Sequence, residues 1–149
     1  MCGIIGYVGG NKDIRVGLEA LKRLEYRGYD SAGMAVYDPE KQEIFSMKAV
    51  GKIENLEDKL GRVHIEGSPF LFYTRWATHG GITEENCHPH SDCKNNIWVA
   101  HNGIIENYQQ LKEKLVGEGH TFRSETDTEV VPHLIEKFFR GDLEKAVRR

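Results

Sequence analysis

A cysteine directly follows the initiator methionine and begins the apolar segment CGIIGYVGG. Because the second residue is small, removal of Met1 would leave Cys2 with both a thiol and a free α-amine. An α-amine has a reference pKa of about 8 and a cysteine thiol one of about 8.5, so near neutral pH the amine can help to ionise the thiol. Cys2 is therefore a candidate nucleophile with its own base. A cysteine at the start of an apolar strand is also commonly a small buried residue, and that alternative stays open.

A second group of reactive side chains lies at 87–93, where two thiols and two imidazoles fall within seven residues: Cys87, His88, His90 and Cys93. Such clusters can bind zinc. The spacing is unfavourable, however, because there is no Cys-x2-Cys pair, the adjacent Cys87 and His88 point apart, and Pro89 stiffens the segment. We therefore predict no metal site here, and a zinc-bound interaction module is kept only as an alternative.

The elements that would position these residues follow from the hydrophobic pattern. The run at 4–8 predicts a buried strand, and Asn11 is a typical cap for a helix that extends to about Tyr26. Strand-like stretches at 32–37 and 43–50 flank the turn sequence DPEK and predict a hairpin. We further predict a short helix near 54–60, strands at 70–73 and 97–101 separated by a long polar loop, and helices at 107–116 and 128–139. This pattern indicates a layered α/β or α+β domain.

Composition narrows the class of partner. The 149 residues suffice for one domain, and 39% hydrophobic with 29% charged residues is typical of a globular protein. A net charge of −3 without long runs of one sign argues against nucleic acid or an anionic membrane as the main partner. Three cysteines without framework spacing and an N-terminus without a signal-peptide pattern favour reduced thiols in the cytoplasm. The sequence thus predicts a small molecule or another protein as partner.

Four segments accompany Cys2: RLEYRGYDSAGMAV (23–36), YTRWATHG (73–80), HNGIIENY (101–108) and SETDTEV (124–130). Together they closely resemble the N-terminal glutaminase domain of the glutamine–fructose-6-phosphate aminotransferases, over essentially the whole chain. Amidophosphoribosyltransferase, asparagine synthetase and glutamate synthase share a glutaminase that begins with cysteine, but LEYRGYDSAG together with SETDTEV points to the sugar-phosphate enzymes. The resemblance implies hydrolysis of L-glutamine through an N-terminal cysteine thioester, without a cofactor. The ammonia would then convert fructose 6-phosphate to glucosamine 6-phosphate in the full enzyme.

The resemblance also implies an α+β fold of the Ntn-hydrolase type, a four-layer α/β/β/α sandwich of two antiparallel sheets. Residues 1–149 would be the N-terminal part of this type-2 glutamine amidotransferase domain, with the sugar isomerase domains absent. The final segment DLEKAVRR begins an apolar stripe and stops without a C-cap glycine. We therefore expect a sandwich that is incomplete at its C-terminal side, with an uncovered apolar face and low stability or self-association; a homo-oligomer is left open.

Catalytic roles follow from the resemblance and agree with what the residues can do. The Asn102 side chain and the Gly103 backbone N–H, at a strand end, could donate to a developing oxyanion. Asn-Gly is equally typical of a simple tight turn. If Met1 stayed in place, the α-amine would be locked in a peptide bond, and the chain would be a catalytically silent glutamine-binding fragment.

Substrate-binding roles are implied in the same way. Arg75 ends a predicted strand, where its planar guanidinium could bind the α-carboxylate of glutamine, and Asp127 could pair with the α-ammonium. A surface arginine and a helix cap are the respective alternatives. In the family, a loop closes over glutamine, and its residues correspond here to Arg75, Trp76, Thr78 and His79. Two further family residues lie near the site, and they correspond to Arg27 and His88.

Overall fold

The structure is a computed structural model that describes residues 2–77 and 80–149. Its strands are β1 (Gly3–Tyr7), β2 (Lys12–Asp13), β3 (Ser31–Asp38), β4 (Glu43–Val50), β5 (Glu66–Gly67), β6 (Phe70–Arg75), β7 (His90–Ser91) and β8 (Trp98–Val99). Its helices are α1 (Ile14–Lys22), α2 (Ile53–Leu60), α3 (Tyr108–Gly117), α4 (Val130–Phe138) and α5 (Leu143–Val147). Short 3-10 turns cover Glu25–Arg27 and Asp127–Glu129.

A four-stranded antiparallel sheet in the order β1-β6-β3-β4 is the centre of the molecule. The apolar strand β6 lies inside this sheet, with Gly3 opposite Thr74 on one side and Ser31 opposite Arg75 on the other. In an antiparallel pair the residue before Gly3 therefore reaches the end of β6. This register brings the N-terminal Cys2 to Arg75 and Trp76, although more than 70 residues separate them in sequence.

The two faces of the sheet differ because successive side chains of a strand alternate between them. One face packs against α1 and α2 and forms the hydrophobic core, which includes Leu18, Met34, Leu56 and Phe72. On the opposite face, His88 stacks on Tyr73. Further along that face lies an open apolar groove of about 820 Å³, with a lining that includes Ala35, Leu71, Ile97, Trp98 and Phe139. This groove agrees with the expectation of an uncovered apolar face.

Most of the predicted elements are confirmed, with differences at both ends of α1 and at the predicted strand 97–101. Asn11 does not cap α1; the Asp13 carboxylate accepts from the Arg15 N–H at 2.8 Å instead, because residues 12 and 13 first pair with β5. The helix ends at Lys22 rather than near Tyr26, since the chain then tightens into a 3-10 turn. The predicted strand 97–101 shortens to β8, and its partner β7 lies within the predicted loop.

The α+β class is confirmed, since every strand pairing in the described part of the chain is antiparallel. Besides the four-stranded sheet, that part contains two short pairings of two residues each, β2 with β5 and β7 with β8. Across residues 2–77 and 80–149, no helix combines the length and the apolar character required to cross a membrane.

Candidate active site

Cys2 immediately precedes β1, next to Arg75, the last residue of β6. Its Sγ accepts a hydrogen bond from the Trp76 N–H at 3.2 Å. Its carbonyl accepts from Arg27 Nε at 3.1 Å and from Asn102 Nδ2 at 3.3 Å. Three segments distant in sequence therefore fix the backbone and the thiol of Cys2, which is only partly buried and stays accessible to a small molecule.

A cavity of about 320 Å³ opens beside this thiol. Its lining contains every predicted site residue within the described ranges: Cys2, Arg27, Arg75, Trp76, His88, Asn102, Gly103 and Asp127. Thr78 and His79 lie outside the described residues. The sequence-based set thus converges on one cavity although it comes from six separate segments of the chain, which side-chain types alone could not have shown.

The Asn102 amide is oriented by Tyr73, a residue that the sequence analysis did not single out. The Tyr73 hydroxyl donates to Asn102 Oδ1 at 2.9 Å and to the His101 carbonyl at 3.2 Å. Burial raises the pKa of Tyr73, so its hydroxyl keeps the proton that it donates. Because the amide oxygen is held in this way, Nδ2 faces Cys2 as a donor.

Arg75 is almost fully buried, with 3% of its surface exposed, so the alternative of a surface arginine is wrong. Its Nη1 donates to the Gly81 carbonyl at 3.0 Å, and Asn86 Nδ2 donates to the same oxygen at 3.1 Å. The end of β6 is thereby tied to the segment at Gly81. The guanidinium places a permanent positive charge in the cavity wall.

Asp127 is also buried, at 5% exposure, and lies in the 3-10 turn that precedes α4. Its Oδ2 accepts from the Ile105 N–H at 2.7 Å, and its Oδ1 lies 3.4 Å from the Thr128 hydroxyl. The carboxylate therefore holds the loop after Gly103 and does not cap α4, so the helix-cap alternative is wrong. A negative charge thus lies in the same cavity as the Arg75 guanidinium.

His88 provides a rigid neutral wall. Its ring stacks on Tyr73 with centroids 4.2 Å apart and an interplanar angle of 14°, and its Nδ1 accepts from the His101 N–H at 3.4 Å. Burial, reinforced by the nearby Arg75 charge, lowers the pKa of His88 to about 3. Gly33 allows this close packing, because a Cβ at that position would lie 2.1 Å from the His88 carbonyl oxygen.

The two other cysteines do not face the cavity. Cys87 is fully buried, its Sγ donates to the His88 carbonyl at 3.4 Å, and burial raises the pKa of its thiol to about 11. Cys93 instead faces His120 and His133. The cluster at 87–93 that the sequence analysis weighed as a zinc site is therefore divided between two environments.

Further residues of the cavity were missed, chiefly Tyr73, His101 and Thr128. His101 Nδ1 lies 3.3 Å from the Thr128 hydroxyl and so links the Asn102 segment to the Asp127 turn. One signal was available for Tyr73, since it lies two residues before Arg75 and must share its face of the strand. His101 and Thr128 lie within the segments HNGIIENY and SETDTEV, but no spacing or residue-level pattern marked them individually.

Comparisons with known proteins agree with this geometry. A family model described as a glutamine amidotransferase domain matches residues 77–149. Proteins named glutamine–fructose-6-phosphate aminotransferase [isomerizing] from Pyrococcus horikoshii and Methanococcus maripaludis are each 54% identical, over 99% and 92% of this chain. The chain spans about a quarter of their length, 25% and 22% respectively.

Solved structures agree as well. Glutamine phosphoribosylpyrophosphate amidotransferase from B. subtilis, complexed with ADP and GMP, matches with a TM-score of 0.79 and 27% identity, over 99% of this chain and 32% of that one. A structure described as the allosteric regulatory enzyme of purine biosynthesis matches with a TM-score of 0.82 and 28% identity over the same shares. The chain therefore belongs to the Ntn-type glutamine amidotransferase family, as an N-terminal glutaminase domain.

Proposed function

We propose that this chain hydrolyses L-glutamine to L-glutamate and ammonia, with Cys2 as the nucleophile. The observation that carries the proposal is the shared cavity of about 320 Å³, lined by one accessible thiol, the Asn102–Gly103 pair and the buried charges of Arg75 and Asp127. A nucleophile, oxyanion donors and two opposite charges are what amide hydrolysis on a free amino acid requires.

The buried charges would select the substrate. The Arg75 guanidinium would bind the α-carboxylate of glutamine, and the Asp127 carboxylate would bind its α-ammonium. Both groups are absent in a peptide-bonded glutamine, so the site would favour the free amino acid. Arg27, Trp76 and His88 would complete the wall, and we assign Thr78 and His79 to substrate binding by family resemblance.

The proposed reaction has two steps. The Cys2 thiolate attacks the side-chain amide carbon, a C–S bond forms, and the negative charge on oxygen is held by Asn102 Nδ2 and the Gly103 N–H. The protonated α-amine of Cys2 gives its proton to the departing nitrogen, so that the C–N bond breaks and ammonia leaves. Water then attacks the thioester, the amine accepts its proton, and glutamate and the thiolate are released. This sequence requires that Met1 be removed.

The role of the ammonia rests on the relatives. They are named glutamine–fructose-6-phosphate aminotransferases, and this chain spans about a quarter of their length. We therefore assign residues 1–149 to the glutaminase part of a longer cytoplasmic protein. In that protein a sugar isomerase region outside 1–149 would use the ammonia to convert fructose 6-phosphate to glucosamine 6-phosphate.

The test is glutamate and ammonia formation by the purified chain after Met1 has been removed. We expect turnover in the unmodified chain and in Cys87→Ala, because the Cys87 thiol is buried outside the cavity, and none in Cys2→Ala. Turnover that survives Cys2→Ala would refute the assignment of the nucleophile. Glutamine binding by calorimetry without turnover would instead identify a silent glutamine-binding fragment.

A further inference from the structure

We propose that Cys93, His120, His133 and Glu136 bind a zinc ion, at a site separate from the glutamine cavity. Within the described ranges, these residues form the one group of three or more His, Cys, Asp or Glu side chains that could hold a metal ion. They come from three segments: the turn between β7 and β8, the chain after α3, and one turn of α4. The proposal does not depend on the proposed function.

The four ligand atoms all lie within 4.8 Å of one another, and four of their six separations can be compared with the edges of a zinc tetrahedron. Cys93 Sγ lies 3.5 Å from His133 Nδ1 and 3.7 Å from His120 Nδ1. Glu136 Oε2 lies 3.0 Å from His120 Nδ1 and 3.6 Å from His133 Nδ1. Zinc bonds of about 2.3 Å to sulfur and 2.0–2.2 Å to nitrogen and oxygen, at tetrahedral angles, give S–N edges of about 3.6 Å and N–O edges of about 3.4 Å. The observed separations are scattered around these edges, so a central ion would need only small side-chain adjustments.

The surroundings of His133 favour a metal ligand. This ring is fully buried, and its Nε2 has no hydrogen-bond partner in the described structure. Nε2 faces Glu129 Oε1 at 3.7 Å, and that carboxylate is held by the N–H groups of Arg123 at 2.7 Å and Ser124 at 2.6 Å. The Glu129 carboxylate favours the tautomer of His133 that carries its proton on Nε2. In that tautomer Nδ1 has a free lone pair, and Nδ1 is the nitrogen that faces Cys93 and Glu136. Metal-bound histidines are commonly oriented by a carboxylate in this way.

Charge and ligand type select the ion. A thiolate and a carboxylate together neutralise a divalent cation, and a thiolate with two imidazoles favours zinc over magnesium or calcium. Four protein ligands would close the coordination sphere, which is typical of a structural zinc and not of a catalytic one. The ion would join the β7–β8 turn to α4. Because the 3-10 turn with Asp127 leads directly into α4, the ion would also brace this wall of the glutamine cavity.

The test uses metal binding as its readout. The chain is freed of metal by chelation and titrated with Co²⁺, and zinc content is measured after exposure to Zn²⁺ and dialysis. We expect one equivalent of either ion, a thiolate-to-cobalt charge-transfer band with the visible spectrum of a tetrahedral site, and a higher thermal midpoint with zinc. Cys93→Ser should abolish the charge-transfer band, whereas Cys87→Ala and Cys2→Ala should retain it.

His120→Gln provides a second variant on a partly exposed ligand, with His64→Gln as the matched control. His64 is a surface histidine whose Nδ1 lies 3.3 Å from Asp13 Oδ2, so it tests adventitious binding by an exposed histidine–carboxylate pair. We expect at least tenfold weaker zinc binding in His120→Gln and no change in His64→Gln. The proposal is overturned if the unmodified chain binds no stoichiometric ion, which would indicate a hydrogen-bonded network only. It is also overturned if binding survives both ligand changes, or if Cys2→Ala abolishes it. None of these results depends on glutaminase turnover.

Discussion

Replacing Tyr73 with Phe tests how Asn102, the proposed oxyanion donor, is positioned. The change removes the hydroxyl that donates to Asn102 Oδ1 at 2.9 Å and to the His101 carbonyl at 3.2 Å. It keeps the aromatic ring that stacks on His88. The Asn102 amide then loses the contact that fixes which of its ends faces Cys2. We therefore expect a catalytic defect with little loss of stability.

The expected size follows from hydrogen-bond energies. A neutral hydrogen bond contributes about 0.5–1.5 kcal/mol net, which corresponds to a 2- to 12-fold lower kcat. Removing an oxyanion donor outright costs about 3–4 kcal/mol, or 10²- to 10³-fold in kcat, and this is the effect expected for Asn102→Ala. If Tyr73 acts only through Asn102, the two losses cannot add.

The assay is a double-mutant cycle on glutamate formation. Tyr73→Phe should lower kcat several-fold in the unmodified chain and less than twofold in the Asn102→Ala background. Unfolding in urea should show a stability change below about 1.5 kcal/mol. The reasoning is refuted if Tyr73→Phe lowers kcat by the same factor in both backgrounds, or if it leaves kcat unchanged in the unmodified chain.

Three further predictions follow from the site and its supports. Burial lowers the pKa of His88 from 6.5 to about 3, so on acidification the unfolded chain binds a proton first, and this group should cost about 1.6 kcal/mol of stability between pH 6.5 and 5. His88→Asn should reduce the slope of urea-measured stability against pH over this range, while buried His90 continues to contribute in the same direction. An unchanged slope would contradict the assignment. Gly33→Ala should lower the free energy of unfolding by about 2–3 kcal/mol, because the added Cβ would lie 2.1 Å from the His88 carbonyl oxygen. The control is Gly117→Ala, which should be neutral or slightly stabilising because no atom lies within 4 Å of the added Cβ. Asp127→Asn keeps an acceptor for the Ile105 N–H but removes the negative charge. The KM for glutamine should therefore rise about 10- to 100-fold at unchanged stability. An unaltered KM would exclude Asp127 as the ligand of the α-ammonium.

The local elements could be predicted where one pattern dominates. The hairpin of β3 and β4, and helix α2, follow directly from alternation and helical spacing. The start of α1 could not be placed in this way, because both Asn11 and Asp13 are good caps and the choice depends on pairing with β5, a contact distant in sequence. Strand 97–101 was overestimated for a similar reason, since its partner is only two residues long.

The candidate site could be predicted as a set of residues but not as an arrangement. Sequence motifs identified Cys2, Arg75, Asn102 and Asp127, yet both alternatives for the charged pair stayed open until burial and hydrogen bonds were known. Asp127 illustrates the difficulty, because a carboxylate before a helix is ordinarily a cap, and only its contact with the Ile105 N–H shows otherwise. The Cys93 cluster could not be found at all from spacing, since its other ligands lie 27 or more residues away in sequence.

The most direct test of the proposed function is the intact mass of the chain before and after exposure to a glutamine analogue that carries an electrophile at its side-chain end. We predict loss of Met1 and a single adduct on Cys2, and excess glutamine should protect Cys2 against modification. The adduct should be absent in Cys2→Ala and retained in Cys87→Ala and Cys93→Ala. No adduct, an adduct on Cys87 or Cys93, or modification of Cys2 that glutamine does not slow would contradict the assignment of this cavity as a glutaminase site.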